Sequence, residues 1–175
     1  HNCYLTVNVI HHSFSVITAK RLFHSHYVSC INLKSISIPQ SSILGMGVFS
    51  SCISLQGINF PAMSYIPEQS FNNCRSLTSI EIPESVVAIG HDAFNGCKSL
   101  TGINLPPYLT VIQYNAFSDC TKLKNISLPN TLTTLGNYVF RNDSSLQALT
   151  IPASVTVLGA ILTDGCPLIE KITVD

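Results

Sequence analysis

Cysteine is the residue of this chain with the most versatile chemistry, because a thiol can form a disulfide, bind zinc or attack as a nucleophile. Six of the seven cysteines recur at regular intervals, and an aspartate holds one further position of the same series. These marker positions lie 22 or 23 residues apart: Cys30, Cys52, Cys74, Cys97, Cys120, Asp143 and Cys166. One thiol per interval, with no Cys-x-x-Cys pair, indicates a packing role in preference to a zinc site.

Disulfide formation stays open for these thiols. If each interval is one turn of a stacked structure, equivalent Cα atoms lie about 5 Å apart, which is within disulfide range. Cys3 stands outside the series and is either a free thiol or part of an end cap.

Histidines could offer a metal site near the start of the chain, where five of the six occur: His1, His11, His12, His24 and His26. Their convergence on a metal is conceivable. A terminal repeat that shows polar side chains to solvent explains the cluster equally well. We therefore predict no metal and no cofactor.

Catalytic patterns are weak throughout the chain. Serine is abundant, but no Gly-x-Ser-x-Gly elbow and no glycine-rich phosphate loop is present. Glu81 and Glu84 could form a glycosidase-type carboxylate pair, but repeat position explains both as surface residues. The sequence predicts that the protein is not an enzyme.

The intervals between markers share an apolar pattern. A leucine or isoleucine follows each marker by three residues, as in Leu77 and Leu100, and apolar residues follow by six and eight, as in Ile80 and Ile82. A proline then ends six of the segments: Pro39, Pro61, Pro83, Pro106, Pro129 and Pro152. The alternation predicts one short strand per turn, and proline stops it because it has no N–H for a ladder.

The second half of each interval carries another apolar pair, such as Val86 with Ile89. An aromatic residue precedes the marker by three in six intervals: Tyr27, Phe49, Phe71, Phe94, Phe117 and Phe140. One turn of this length cannot bury its own apolar side chains, whereas stacked turns share a continuous core. We therefore expect a solenoid whose strands form a parallel sheet with a rise of about 4.8 Å per turn.

Segments such as 74–97 closely resemble the BspA-like, or Treponema pallidum type, leucine-rich repeats. The resemblance covers residues 30–175 strongly, with a truncated last repeat, and residues 8–29 weakly. Residues 1–29 are interpreted as a degenerate N-terminal repeat or cap. The resemblance implies a leucine-rich-repeat solenoid with little helix opposite the sheet. The resemblance also implies a family that is found largely in surface or secreted proteins of anaerobic bacteria and parasitic protozoa. Several of those proteins are linked to adhesion to host matrix or cells.

Residues between the buried positions of each predicted strand point outward, so they form the exposed face of the sheet. This face is polar and nearly neutral, and it lacks the Trp, Tyr and Arg anchors of most protein hot spots. Weak, multivalent contacts are expected. The candidate binding residues are Lys34, Ser37, Gln56, Asn59, Thr78, Ser79, Glu81, Thr101, Asn104, Lys124, Asn125, Ser127, Gln147 and Thr150.

Composition limits the classes of partner that the protein is expected to bind. Nine basic and nine acidic residues balance, and only 10% of residues are charged, so neither nucleic acid nor an anionic membrane is an expected partner. No apolar run is long enough to span a bilayer. The start does not resemble a signal peptide, and we interpret the chain as a fragment of a longer protein.

The leading hypothesis is a cell-surface or secreted adhesion module that binds host proteins or glycans, such as extracellular matrix, through the sheet face. A structural spacer within a longer surface protein and an intracellular protein-binding scaffold are the alternatives. Glycans at the sequons of Asn125 or Asn142 would exclude the scaffold. The apolar last turn, ending near Val174, makes end-to-end self-association a further expectation.

Overall fold

The computed structural model describes Ser15, Val16, Arg21, Leu22 and residues 29–175. The chain winds into a parallel-strand solenoid of about six turns, and the described part contains no helix. The expected leucine-rich-repeat fold is confirmed. Each turn contributes to one or both of two ladders of short strands that run along the solenoid.

The first ladder is formed by the predicted Leu-x-x-Ile-x-Ile segments. Pairing aligns equivalent residues, as with Ile36 and Ile58, or Leu149 and Ile172. Between the two paired groups the ladder is reduced to a single isolated bridge, Glu81 to Asn104. The strands are β1 (Ser15–Val16), β3 (Ser35–Ser37) and β5 (Gly57–Asn59) at one end, and β10 (Ala148–Ile151) and β12 (Lys171–Val174) at the other.

A second ladder comes from the apolar pairs in the later half of each turn, and it adds a strand that the sequence analysis did not predict. Each of these strands has two residues, which is too short for alternation to show in the sequence. The strands are β2 (Arg21–Leu22), β4 (Ile43–Leu44), β6 (Tyr65–Ile66), β7 (Ala88–Ile89), β8 (Val111–Ile112), β9 (Thr134–Leu135) and β11 (Val157–Leu158). Five of them form one parallel sheet in the order β11-β9-β8-β7-β6, and β2 pairs with β4.

The segment between the second ladder and the next marker turns sharply at two places. The residue before each marker has positive φ in all seven described cases, from Ser29 to Gly165, and the residue five before the marker does so in the turns from Gly47 to Ile161. Amides of this segment donate to the following turn, as Phe94 N does to the carbonyl oxygen of Ala116 at 2.8 Å. Backbone hydrogen bonds therefore connect successive turns here as well as in the ladders.

The core contains a column of phenylalanines that runs through five successive turns, from Phe49 to Phe140. Phe49, Phe71, Phe94, Phe117 and Phe140 are fully buried, and their successive rings stack with centroids 5.3 to 6.1 Å apart. The leucines three residues after the markers are equally buried from Leu55 to Leu146. Each turn thus buries its apolar residues against its two neighbours, which a single turn could not do.

Most of the predicted N-terminal cap, residues 1–29, lies outside the described residues. The histidine cluster and Cys3 lie there too, so the expectations about them stay predictions. Within residues 29–175 and the four strand residues before them, no helix is long and apolar enough to cross a membrane.

Candidate binding face

The outward side chains of the first ladder form one continuous surface, which we name the variable face. It consists of the residues four, five and seven positions after each marker. All fourteen residues predicted to bind ligand are exposed. They share this surface because the side chains that flank them, such as Ile80 and Leu77, point into the core.

Two shallow grooves lie in the middle of the variable face, with volumes of about 490 and 550 Å³. They share Ser79 and Glu81 and so form one continuous depression. Seven of the fourteen predicted residues line it: Gln56, Asn59, Ser79, Glu81, Asn104, Asn125 and Ser127. The structure therefore brings half of the predicted set together and leaves the others on the surrounding surface.

Glycines form part of the floor of both grooves. Gly57 lines one and Gly102 the other. A Cβ atom added at either position would meet nothing within 4 Å, and neither residue has a positive φ. Gly57 lies in β5, and Gly102 holds the equivalent position in a turn that forms no strand there; neither backbone conformation nor packing within the chain requires glycine at either position. Its effect is to leave open space above the backbone.

The middle of the depression coincides with the part of the first ladder that is reduced to the Glu81–Asn104 bridge. At one end, Gln56 N donates to the carbonyl oxygen of Lys34 at 2.8 Å. In the middle, the distances from Thr101 N to Thr78 O and from Lys124 N to Thr101 O are both 3.3 Å. The distance from Gln147 N to Lys124 O, beyond the depression, is also 3.3 Å, so the longer hydrogen bonds extend from Thr78 to Gln147.

Two of the predicted residues use their polar groups within the protein. Asn59 hydrogen bonds both polar backbone groups of Ile38, and the Thr101 hydroxyl donates to the carbonyl oxygen of Thr78 at 3.5 Å. In contrast, the side chains of Glu81, Asn104 and Asn125 make no hydrogen bond or ion pair to any residue that the structure describes. These three side chains are available to a ligand, and so are the other exposed side chains of the lining that likewise make no hydrogen bond to a described residue, Gln56, Ser79 and Ser127.

The exposed aromatic residues lie away from the variable face, and the sequence analysis did not single them out. The Tyr114 ring packs edge-on against the Tyr138 ring, with centroids 5.7 Å apart, and the guanidinium of Arg141 lies 5.7 Å from the Tyr138 ring centroid. Arg141 also pairs with Asp164 at 3.3 Å. No repeat-wide pattern marks these residues, so only their packing across turns reveals the cluster.

The marker cysteines are structural. Five of them, Cys52, Cys74, Cys97, Cys120 and Cys166, are buried free thiols, whereas Cys30 is disulfide-bonded. Burial raises the pKa of Cys52 to about 12 and that of Cys166 to about 11. A neutral, buried thiol is a poor nucleophile and a poor metal ligand. No group of three potential metal ligands occurs among the described residues.

These features define a class: a leucine-rich-repeat solenoid with a polar, groove-bearing sheet face. The family model of the BspA type leucine-rich repeat region matches residues 17–74 and 64–175, with six copies. The chain therefore belongs to the BspA-type leucine-rich-repeat family, as the sequence resemblance indicated. Such repeat modules generally bind other proteins and do not catalyse reactions.

Solved structures share the fold. A leucine-rich-repeat protein of T. pallidum is 27% identical, covering 87% of this chain and 62% of that one, with a TM-score of 0.63. A leucine-rich cell surface protein of Faecalibacterium prausnitzii is 39% identical over 65% of this chain and 31% of that one, with a TM-score of 0.62. The pneumococcal vaccine antigen PcpA is 26% identical over 88% and 42%, with a TM-score of 0.64.

This chain thus spans less than two thirds of each of these relatives. A comparison with curated proteins finds no match.

Proposed function

We propose that this chain is the binding part of a cell-surface or secreted adhesion protein, and that it holds host proteins or glycans through the variable face. Membership of the BspA-type family supports a binding role. Surface location is supported by two similar structures, one described as a cell surface protein and the other as a vaccine antigen.

The observation that carries the proposal is the glycine-floored depression around Ser79 and Glu81. Glycine in a strand is often found where a ligand or another backbone approaches closely. Gly57 and Gly102 lie two turns apart, which is about 9.6 Å at the rise of stacked strands. An extended chain that runs along the solenoid could therefore approach the face above both glycines.

The chemistry of the depression suits hydrogen-bonded recognition. Asn104 and Asn125 each offer a donor and an acceptor, and Glu81 offers acceptors. No aromatic residue lies at the outward positions of this face. Each contact is then worth little, and affinity comes from several turns acting together or from several copies of the module.

The first test is binding of the chain to immobilised matrix proteins, a glycan array and intact epithelial cells. We expect binding by the wild type and its loss when Lys34, Glu81, Lys124 and Asn125 are all changed to Ala. A control variant replaces Arg75, Lys98 and Lys122, which are exposed but outside the variable face, and it should bind normally. Equal loss in both variants, or binding by neither the variants nor the wild type, contradicts the proposal.

Substitution of the glycines gives a sharper test of the depression. Gly57→Ala and Gly102→Ala place methyl groups in open space, so the fold should be retained. We expect the same circular dichroism spectrum as the wild type and weaker binding. Unchanged binding by the double variant would show that ligand does not approach the glycine floor.

A further inference from the structure

Four marker cysteines, Cys74, Cys97, Cys120 and Cys166, each perform the same two hydrogen-bonding tasks. The sulfur accepts the backbone N–H of the preceding marker, as Cys120 does from Cys97 and Cys166 from Asp143. The S–H group donates to the carbonyl oxygen of a phenylalanine in an earlier turn. Cys120 donates to Phe94 at 3.3 Å, and Cys166 donates to Phe140 at 3.0 Å.

Asp143 is the one marker that is not a cysteine, and its carboxyl group is fully buried. Oδ1 takes over the first task, because it accepts the N–H of Cys120 at 2.8 Å. Oδ2 is buried and has no hydrogen-bond partner among the described residues. The phenylalanine that corresponds by position to the acceptors Phe94 and Phe140 is Phe117.

We propose that Asp143 is a neutral carboxylic acid in the folded protein and that it acts as a proton-dependent latch between its own turn and the Phe117–Cys120 segment, where the two preceding turns meet. The Oδ2–H group performs the task of the thiol and donates towards the carbonyl oxygen of Phe117, while Oδ1 keeps the N–H of Cys120. A carboxylate could perform only the first task, because it has no hydrogen to donate.

The surroundings of Asp143 favour the neutral form. Burial raises the pKa of the Asp143 carboxyl to about 9; the N–H of Cys120 opposes this shift, and the negative charge of Asp119 adds to it. The titratable groups nearby are Asp119 and Cys120 in the preceding turn, and Asp164 and Cys166 in the following one. None of them carries a positive charge. The nearby cation Arg141 pairs with Asp164, at the exposed surface.

A raised pKa in the folded state has a defined effect on stability. The unfolded chain loses the proton near pH 4, whereas the folded chain holds it up to about pH 9. The contribution of Asp143 is therefore fully present below pH 4 and is lost progressively as the pH rises towards 9. Acidification from neutral pH should therefore raise the free energy of unfolding while the folded contact stays the same, because only the unfolded chain gains a proton at this position.

The test is urea unfolding of the full chain between pH 5 and pH 8, followed by circular dichroism. Asp143→Asn keeps an acceptor and a permanent donor, and Asp143→Cys restores the marker found in the other turns. We expect the unfolding equilibrium constant of the wild type to change by up to about tenfold per pH unit relative to either variant. The exposed Asp164→Asn variant should retain the wild-type pH dependence.

A direct readout uses the carboxyl ¹³C chemical shift of labelled aspartate in the folded protein. We expect one aspartate carboxyl to titrate above pH 7 and to be missing from the Asp143→Cys spectrum. If all aspartates titrate below pH 5, or if the wild type and both variants share one pH dependence of unfolding, the latch does not exist.

Discussion

The side-chain amide of Asn59 pairs with both polar backbone groups of Ile38: Oδ1 accepts the N–H at 3.1 Å, and Nδ2 donates to the carbonyl oxygen at 3.3 Å. Ile38 lies just beyond Ser37, the last residue of β3 that pairs with β5. The amide therefore continues the ladder by one residue with a side chain. Asn59 is a structural residue of the variable face as well as part of its lining.

Asn59→Ala should lower the free energy of unfolding by about 1 to 3 kcal/mol, because it leaves a backbone donor and acceptor of a buried residue without partners. Asn104 holds the equivalent position two turns later and makes no such contact. Asn104→Ala should therefore change stability little while weakening ligand binding. Urea unfolding of the two variants distinguishes these roles, and equal losses of stability would contradict the assignment.

The phenylalanine column predicts a large effect of a single truncation. Phe117 stacks between Phe94 and Phe140, and Phe117→Ala should cost about 3 to 5 kcal/mol through lost contacts and the cavity that remains. Leu100→Ala, at a fully buried position, should act similarly. Tyr108 is 64% exposed, so Tyr108→Ala serves as the control and should be nearly neutral. An unchanged melting temperature for Phe117→Ala would overturn the repeat register.

Ile161 offers a stabilising substitution. It has a φ of 54° and is exposed, so a β-branched side chain occupies a left-handed conformation with little packing in return. Ile161→Gly should raise the free energy of unfolding by about 1 kcal/mol. Leu168 is similarly exposed without positive φ, and Leu168→Gly should be neutral or destabilising. Thermal unfolding checks the sign of each change.

Close approach of successive turns makes Gly136 intolerant of any side chain. An added Cβ would lie 2.6 Å from the amide nitrogen of Tyr114 and 2.8 Å from the carbonyl carbon of Gln113. Gly136→Ala should cost about 1 to 3 kcal/mol, because backbone must move to relieve the contact. Gly102→Ala is the matched control in open space. Similar stabilities of the two variants would contradict the close approach.

The buried thiols should resist labelling in the folded protein. Burial raises the pKa values of Cys52, Cys74, Cys97 and Cys120, and a thiol reagent attacks the thiolate. We expect the five free cysteines to react at pH 8 only as fast as the turns open, and all of them to react rapidly in denaturant. Cys166 lies in the turn nearest the C-terminus and is slightly more exposed than the other four, so it should react first. Fast labelling of Cys97 in the native state would contradict its burial.

The sequence predicts the fold well because the same pattern of apolar residues recurs in successive repeats. A leucine such as Leu77 or Leu100 is identified as buried by its distance from the marker alone. The outward residues follow from strand alternation, and all fourteen that were predicted to bind are exposed. Whether they bind ligand stays a prediction.

The second ladder, the Asn59 contact and the chemistry of Asp143 could not be predicted in this way. Two-residue strands such as Val111–Ile112 show no alternation. The partner of Asn59 lies 21 residues away, and nothing in the pattern specifies that an amide should point towards it. The sequence also does not show that Asp143 Oδ2 lacks a hydrogen-bond partner among the described residues. That becomes evident only by comparison with the thiols of nearby turns, which donate to a phenylalanine carbonyl oxygen.

The contacts that join turns have an evolutionary consequence. Ring stacking and ladder pairing connect residues at equivalent positions of neighbouring turns, and the thiol hydrogen bonds connect the same two repeat positions each time. Recombination that adds or removes one whole turn would therefore recreate the same contacts at the junction, whereas loss of a few residues within a turn would displace all of them at once. Such proteins can change length in whole units, and a departure such as Asp143 then belongs to the history of a single copy.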